Sequence, residues 1–270
     1  MNSFFKRTIT GTLFVVVLSG AILWHPLSFF ILFLIINILA LRELYLMALA
    51  SKSHPQKYYG SIIGAMVFIS GFLWYNFSYG AFLSLILIPA FSFILIFELY
   101  RDLKHPLLNV STTVFGIFYI SLPLMLLNHI VYLTGEYSGK ILLFIFILIW
   151  ASDTGAYLLG VTFGKHRLFE RISPKKSWEG FFGGLIVSQL AAFFIAKYSG
   201  TLVFIHWGVI AAIIAVFGTL GDLVESMIKR SIGIKDSGRL LPGHGGVLDR
   251  FDSLVFTIPL IFTYLYIFIK

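Results

Sequence analysis

Asp222, Glu225, Ser226 and Lys229 recur at three- and four-residue spacing, which places all four side chains on one face of a helix. That face is acidic at one end and basic at the other. Asp249 and Asp252 stand three apart, where a polar stretch gives way to the final apolar run. Hard cations such as Mg²⁺ take oxygen ligands and are held by one or two carboxylates plus substrate phosphates. Carboxylates from two helices beside phosphate-binding cations are what a Mg²⁺–nucleotide site needs. Between the two acidic groups, Pro242-Gly-His-Gly-Gly246 is a backbone-exposing turn whose N–H groups can approach phosphate closely. Helix capping and dipole compensation would explain Asp249 and Asp252 alone. They do not explain Asp222, Lys229, Lys235 and His244 within the same thirty residues.

Two further segments carry polar chemistry. Gly164-Lys-His-Arg-Leu168 is followed by Ile172-Ser-Pro-Lys-Lys-Ser-Trp-Glu-Gly180. Lys175 and Lys176 suit phosphate as point charges, and a helix N-terminus supplies free N–H donors. An ordinary positive loop explains the charge of this segment but not its glycines and serines. Trp150-Ala-Ser-Asp-Thr-Gly-Ala-Tyr157 lies inside an apolar run. An ionisable residue at that depth costs roughly 2.5–3.5 kcal/mol and usually faces a polar cavity. Asp153 shares a helix face with Tyr157, and Gly160 and Gly164 extend a small-residue pattern of close helix packing. The bland alternative for Asp153 is a structural acceptor bridging helices.

The elements that position these residues are membrane helices. Of 270 residues, 59% are hydrophobic and 12% charged, whereas soluble domains carry about 25% charged residues. The 29 Phe and 13 Tyr fit lipid and interfacial depths. A span needs roughly 20 mostly apolar residues. Such runs predict helices over 8–24, 27–46, 60–77, 80–99, 110–133, 140–162, 179–197, 202–227 and 252–269. The expected class is therefore an all-α polytopic membrane protein with about nine spans, eight and ten being the alternatives. His25-Pro26 breaks the first long run, and Asn76–Gly80 makes the next tight turn. Lys6-Arg7 before an apolar stretch also resembles a signal peptide. No small-x-small site follows, however, and a second apolar run begins at once.

Seventeen of the 20 basic residues fall on one side of this array. Lys140, Lys197 and Lys270 fall on the other. By the positive-inside rule the N-terminus and the two long loops, 163–178 and 228–251, face the cytoplasm of a multi-pass cell (inner) membrane. The +8 net charge reads as topology and contact with anionic lipid heads. No hydrophilic stretch is long enough for a nucleic-acid-binding fold. With no cysteine, disulfides, thiolate metal sites and cysteine nucleophiles are excluded. Residues 1–135 read as a transmembrane scaffold. Residues 136–270 read as the catalytic region, since eight of the twelve acidic residues lie within 150–252. Glycine-rich helix faces are compatible with a homodimer.

At these residues the chain resembles the phosphatidate cytidylyltransferases (CDP-diacylglycerol synthases). Their signature is a serine, Lys-Arg, Lys-Asp, a Pro- or Gly-containing turn, His-Gly-Gly and then Asp-Arg-x-Asp. Here it stands as Ser226, Lys229-Arg230, Lys235-Asp236, Gly238, Pro242, His244-Gly245-Gly246, Asp249-Arg250 and Asp252. Residues 152–157 and 173–180 look like accessory motifs of the same family. The resemblance implies the reaction of CTP with phosphatidate to give CDP-diacylglycerol and pyrophosphate, dependent on Mg²⁺ with room for a second cation. It implies Asp222, Asp249 and Asp252 as metal ligands, with Lys229 also in the catalytic set. Ser173, Lys175, Lys176, Arg230, Lys235, Arg239, His244 and Asp153 would meet the triphosphate or the lipid phosphate. The rival readings are a CTP-dependent lipid kinase, a transporter and a non-catalytic scaffold.

Overall fold

The structure is a computed structural model that describes residues 3–77, 80–238 and 245–269. Among them run nine continuous helices. They are α1 (Ser3–Trp24), α2 (Pro26–Ala48), α3 (Lys57–Asn76), α4 (Gly80–Leu99), α5 (Pro106–Val131), α6 (Lys140–Phe163), α7 (Trp178–Ser199), α8 (Phe204–Ser231) and α9 (Leu248–Phe268). Seven of these, α2, α3 and α5 to α9, are long and apolar enough to cross a membrane. In α1 and α4 the described apolar stretches, Thr8–Trp24 and Leu85–Leu99, are shorter. The chain is an all-α polytopic membrane protein, as its composition predicts. Part of the expected turn at Asn76–Gly80, together with Arg239, Pro242 and His244, lies outside the described residues.

Local chemistry sets the helix ends. Pro26 occupies the first turn of α2, where its missing N–H costs nothing, and His25 caps that turn by accepting from Leu27 N at 3.2 Å. Pro123 interrupts α5, and a π turn over Ile117–Ser121 immediately precedes it. A proline ring cannot accommodate the carbonyl four residues back, so the ladder widens there.

The chain divides into two compact units, residues 1–137 with 232–250, and residues 138–231 with 251–270. The first unit packs α2, α3 and α5 around Phe29, Phe33, Phe68 and Tyr45. Several of its buried polar groups are paired with one another. Asn37 donates to the Gly64 carbonyl at 2.9 Å and accepts from Ser121 at 2.8 Å. Glu98 accepts from Gln56, Asn109 and Arg101 at 2.7–2.9 Å. In hydrocarbon such groups have no water to turn to, so internal pairing is obligatory.

The second unit is built on the α6–α7 seam, where glycines let the backbones touch. A Cβ on Gly155 would sit 2.7 Å from the Gly183 carbonyl, and one on Gly184 2.8 Å from that of Ser152. Gly160, singled out for close helix packing, lies on the same seam, where a Cβ would sit 3.5 Å from Gly180 Cα. Between α6 and α7 lies one departure from the expected loop. Arg167–Phe169 (β1) and Ser173–Ser177 (β2) pair as an antiparallel ribbon, with Arg167 opposite Ser177 and Phe169 opposite Ser173.

Candidate functional site

The ribbon decides which lysine does what. Successive strand residues point to opposite sides, so Lys175 and Lys176 diverge. Lys175 is exposed, while Lys176 is half-buried and sets its ammonium 2.6 Å from Asp222 Oδ2 and 3.4 Å from the Thr219 carbonyl. Ser173 begins this strand and is half-buried. The far end of the strand is fastened twice. Ser177 caps α7 by accepting from Gly180 N at 3.2 Å. Glu179, in the first turn of α7, accepts from the Lys165 and His166 N–H groups at 3.1 and 3.2 Å, and its Oε1 lies 2.6 Å from His166 Nδ1. A carboxylate at that position is also favoured by the helix dipole.

On α8 a π turn over Ile214–Gly218 comes just before the acidic face. One extra residue per turn rotates everything downstream by about 100°, which fixes where Asp222 points. Asp222 accepts from Ser226 at 3.2 Å. One turn on, Lys229 sits 3.0 Å from Glu225 Oε2, with both side chains almost completely buried. From α9, Asp252 faces Asp222 and Glu225. Gly221 allows this approach, since a Cβ there would lie 3.2 Å from the Asp252 carbonyl. Three carboxylates and two lysine ammonium groups thus form one cluster within the second unit. Like charges this close in an apolar span repel strongly unless cations attend them.

Oxygen-only donors of this kind fit a hard divalent ion. Among the described residues, no three His, Cys, Asp or Glu side chains are gathered into a shell that would hold a metal by itself. Mg²⁺ keeps several waters and takes one or two carboxylates together with substrate phosphates.

Asp249 belongs to the first unit, and there it organises the signature loop. Its carboxylate accepts from Ser237 N at 2.9 Å and from Gly246 N at 2.8 Å. Behind it stands Glu43, a residue that the sequence reading left in the scaffold. Glu43 is 7% exposed and accepts from Val247 N and Leu248 N at 2.9 Å and from Ser237 Oγ at 3.0 Å. Two glycines make room for it. A Cβ on Gly238 would lie 2.6 Å from Glu43 Oε1, and one on Gly246 2.5 Å from Oε2. A lone acid in an apolar helix is the signal that singled out Asp153, and it would have found Glu43 as well.

Of the other expected site residues, Lys235 and Arg230 are exposed. Asp153 and Tyr157 form an exposed face of α6, turned away from the side on which Gly155 meets α7. Arg239 and His244 lie outside the described residues.

Known proteins resemble part of the chain. A Staphylococcus saprophyticus phosphatidate cytidylyltransferase is 40% identical over 180 residues, covering 64% of this chain and 65% of that protein. A Staphylococcus epidermidis protein of the same name is 46% identical over 135 residues, 48% of this chain and 50% of that protein. A third, from Staphylococcus aureus, is 52% identical over 123 residues, 44% of this chain and 46% of its own. The aligned stretch therefore spans about half to two thirds of these relatives. The family model described as "Cytidylyltransferase family" matches residues 5–268, and on that match the chain belongs to the cytidylyltransferase family.

Proposed function

We propose that the chain makes CDP-diacylglycerol and pyrophosphate from CTP and phosphatidate at the cytoplasmic face of the cell membrane. The carrying observation is the Lys176–Asp222 pair, a phosphate-type cation held 2.6 Å from a metal-type carboxylate beside Asp252 and Glu225. Orientation follows from the 17 basic residues on one side of the array.

A phosphatidate oxygen attacks the α-phosphorus of CTP. The new P–O bond forms as the α–β bridging P–O bond breaks, and pyrophosphate leaves with that electron pair. The nucleophile is already an anion, so little general base catalysis is needed. The protein's work is to hold two polyanions together and to neutralise charge as it develops. Lys176 and Lys175 bring cations on the ribbon, and Ser173 adds a hydroxyl to it. Lys229 is buried against Glu225 and holds that carboxylate in place, while the exposed Arg230 and Lys235 would each offer a cation to the triphosphate or the lipid phosphate. Arg239 and His244 are assigned to the same task by the signature. Asp222 and Asp252 would hold Mg²⁺, which neutralises phosphate charge when bound. Asp249 is assigned to the ion by the signature, not by its position relative to Asp222.

The deciding assay follows the label from CTP carrying ³²P at either the α- or the γ-phosphate. α-Label should enter the lipid fraction and γ-label should appear in pyrophosphate. Transfer of γ-label to lipid with release of CDP would instead establish a lipid kinase, and label in neither product would sink both enzyme readings.

The ribbon geometry separates its two lysines. Lys176→Gln removes a charge-assisted contact and should lower kcat/KM for CTP or phosphatidate by about tenfold or more. Lys175→Gln, at an exposed position, should cost clearly less. Equal losses would show that the strand alternation does not sort the two roles. Unchanged kinetics in both would return the segment to a topology signal.

A further inference from the structure

Arg42 stands six residues before the end of α2, and Lys57 opens α3 after the short link between them. Six residues of helix rise about 9 Å, so both cations lie toward the same end of this helix pair. A cavity of about 540 Å³ runs along the pair, lined by Arg42, Lys57, Tyr58 and Ser61 at that end. Ile38, about a turn deeper on α2, and Ile62, about a turn deeper on α3, continue its wall. Tyr58 and Ile62 are 77% and 56% exposed, so the groove opens at the surface of the first unit. The Lys57 ammonium lies 5.0 Å from the centre of the Tyr58 ring. None of the residues lining the cavity is acidic. Glu43, next to Arg42 in sequence, is turned into the core and bonded to the 237–248 segment.

A cation placed inside an apolar helix is costly unless its head reaches polar ground or meets an opposite charge. Two such cations at one level, above an apolar channel, match one kind of membrane molecule. We infer that this groove binds an anionic glycerophospholipid. Its phosphate sits between the Arg42 guanidinium and the Lys57 ammonium, the Tyr58 hydroxyl serves as a neutral donor, and one acyl chain lies along Ile38 and Ile62. A zwitterionic lipid presents the same phosphate tied to a positive group, which two cations repel. Free phosphate satisfies the cations but leaves the apolar wall bare. The lining residues are not part of the acidic cluster described above, so this site stands or falls apart from the proposed reaction.

The test counts lipids on the full-length protein by native mass spectrometry. Delipidated protein in mild detergent is titrated with dioleoylphosphatidylglycerol and, separately, with dioleoylphosphatidylcholine. The wild type should hold a phosphatidylglycerol that Arg42→Gln/Lys57→Gln binds about thirtyfold more weakly, at the usual strength of two juxtamembrane basic residues. Ile62→Trp fills the groove without touching the charges and should lose the same lipid. Phosphatidylcholine should not occupy the site, and millimolar inorganic phosphate should not displace phosphatidylglycerol. All three positions are exposed, and a thermal melt checks that each variant stays folded. Equal phosphatidylglycerol affinity in the charge variant would overturn the inference. So would full binding by Ile62→Trp, equal occupancy by phosphatidylcholine, or displacement by phosphate alone.

Discussion

Asp222→Asn is expected to lower turnover by orders of magnitude while the protein still inserts and purifies normally. The amide keeps the size of the carboxylate and can still accept from Ser226, now 3.2 Å away. What it loses is the charge that faces Lys176 at 2.6 Å and that would hold a divalent ion. Folding should tolerate the change, because Asp222 lies near the polar end of α8 and is only partly buried. Asp249→Asn and Asp252→Asn should behave alike. On the proposed assignment Asp222 and Asp252 hold one ion and act as a unit, so each of those single changes should cost nearly as much as Asp222→Asn/Asp252→Asn together. Raised Mg²⁺ or Mn²⁺ should partly rescue a single variant and leave the double inactive. Near-normal turnover of Asp222→Asn across a Mg²⁺ titration would make that residue a packing acceptor only. The metal assignment would then have to rest on Asp249 and Asp252.

Much of this was legible because membrane helices announce themselves. Hydrocarbon demands long apolar runs, and the nine expected runs correspond to nine helices among the described residues, seven of them long and apolar enough to cross a membrane. Their ends were less legible. α3 begins at Lys57 and α5 at Pro106, three and four residues before the expected starts at 60 and 110, since a helix carries its first turn out into the interfacial zone. The ribbon at 167–177 left no pattern to read. Ser-Pro-Lys-Lys-Ser has poor strand propensity, and its pairing is imposed by the ends fastened at Ser177 and Glu179. The face of Asp222, Glu225, Ser226 and Lys229 was readable because helical spacing alone defines it. Its partners were not. Lys176 is 46 residues from Asp222 in the chain, and no local rule links them. Glu43 is the clearest case, separated by 194 residues from Ser237.

That separation makes Glu43 the sharper test of how the scaffold serves the signature loop. Glu43→Ala would leave the Val247 and Leu248 N–H groups and the Ser237 hydroxyl without their buried acceptor. A buried donor stripped of its partner costs about 1–3 kcal/mol, so three of them together cost several kcal/mol unless water enters. The loop is then expected to loosen where Ser237 and Gly246 hand their N–H groups to Asp249. The expected results are a lowered Tm, faster amide hydrogen exchange at Val247 and Leu248, and activity reduced at least tenfold. Glu43→Gln restores one acceptor oxygen but turns N–H donors toward N–H donors, so it should rescue exchange protection only partly. A role confined to packing α2 would lower Tm yet leave the exchange of residues 245–248 no faster than that of the helices around them. Such an outcome would remove Glu43 from the positioning of Asp249.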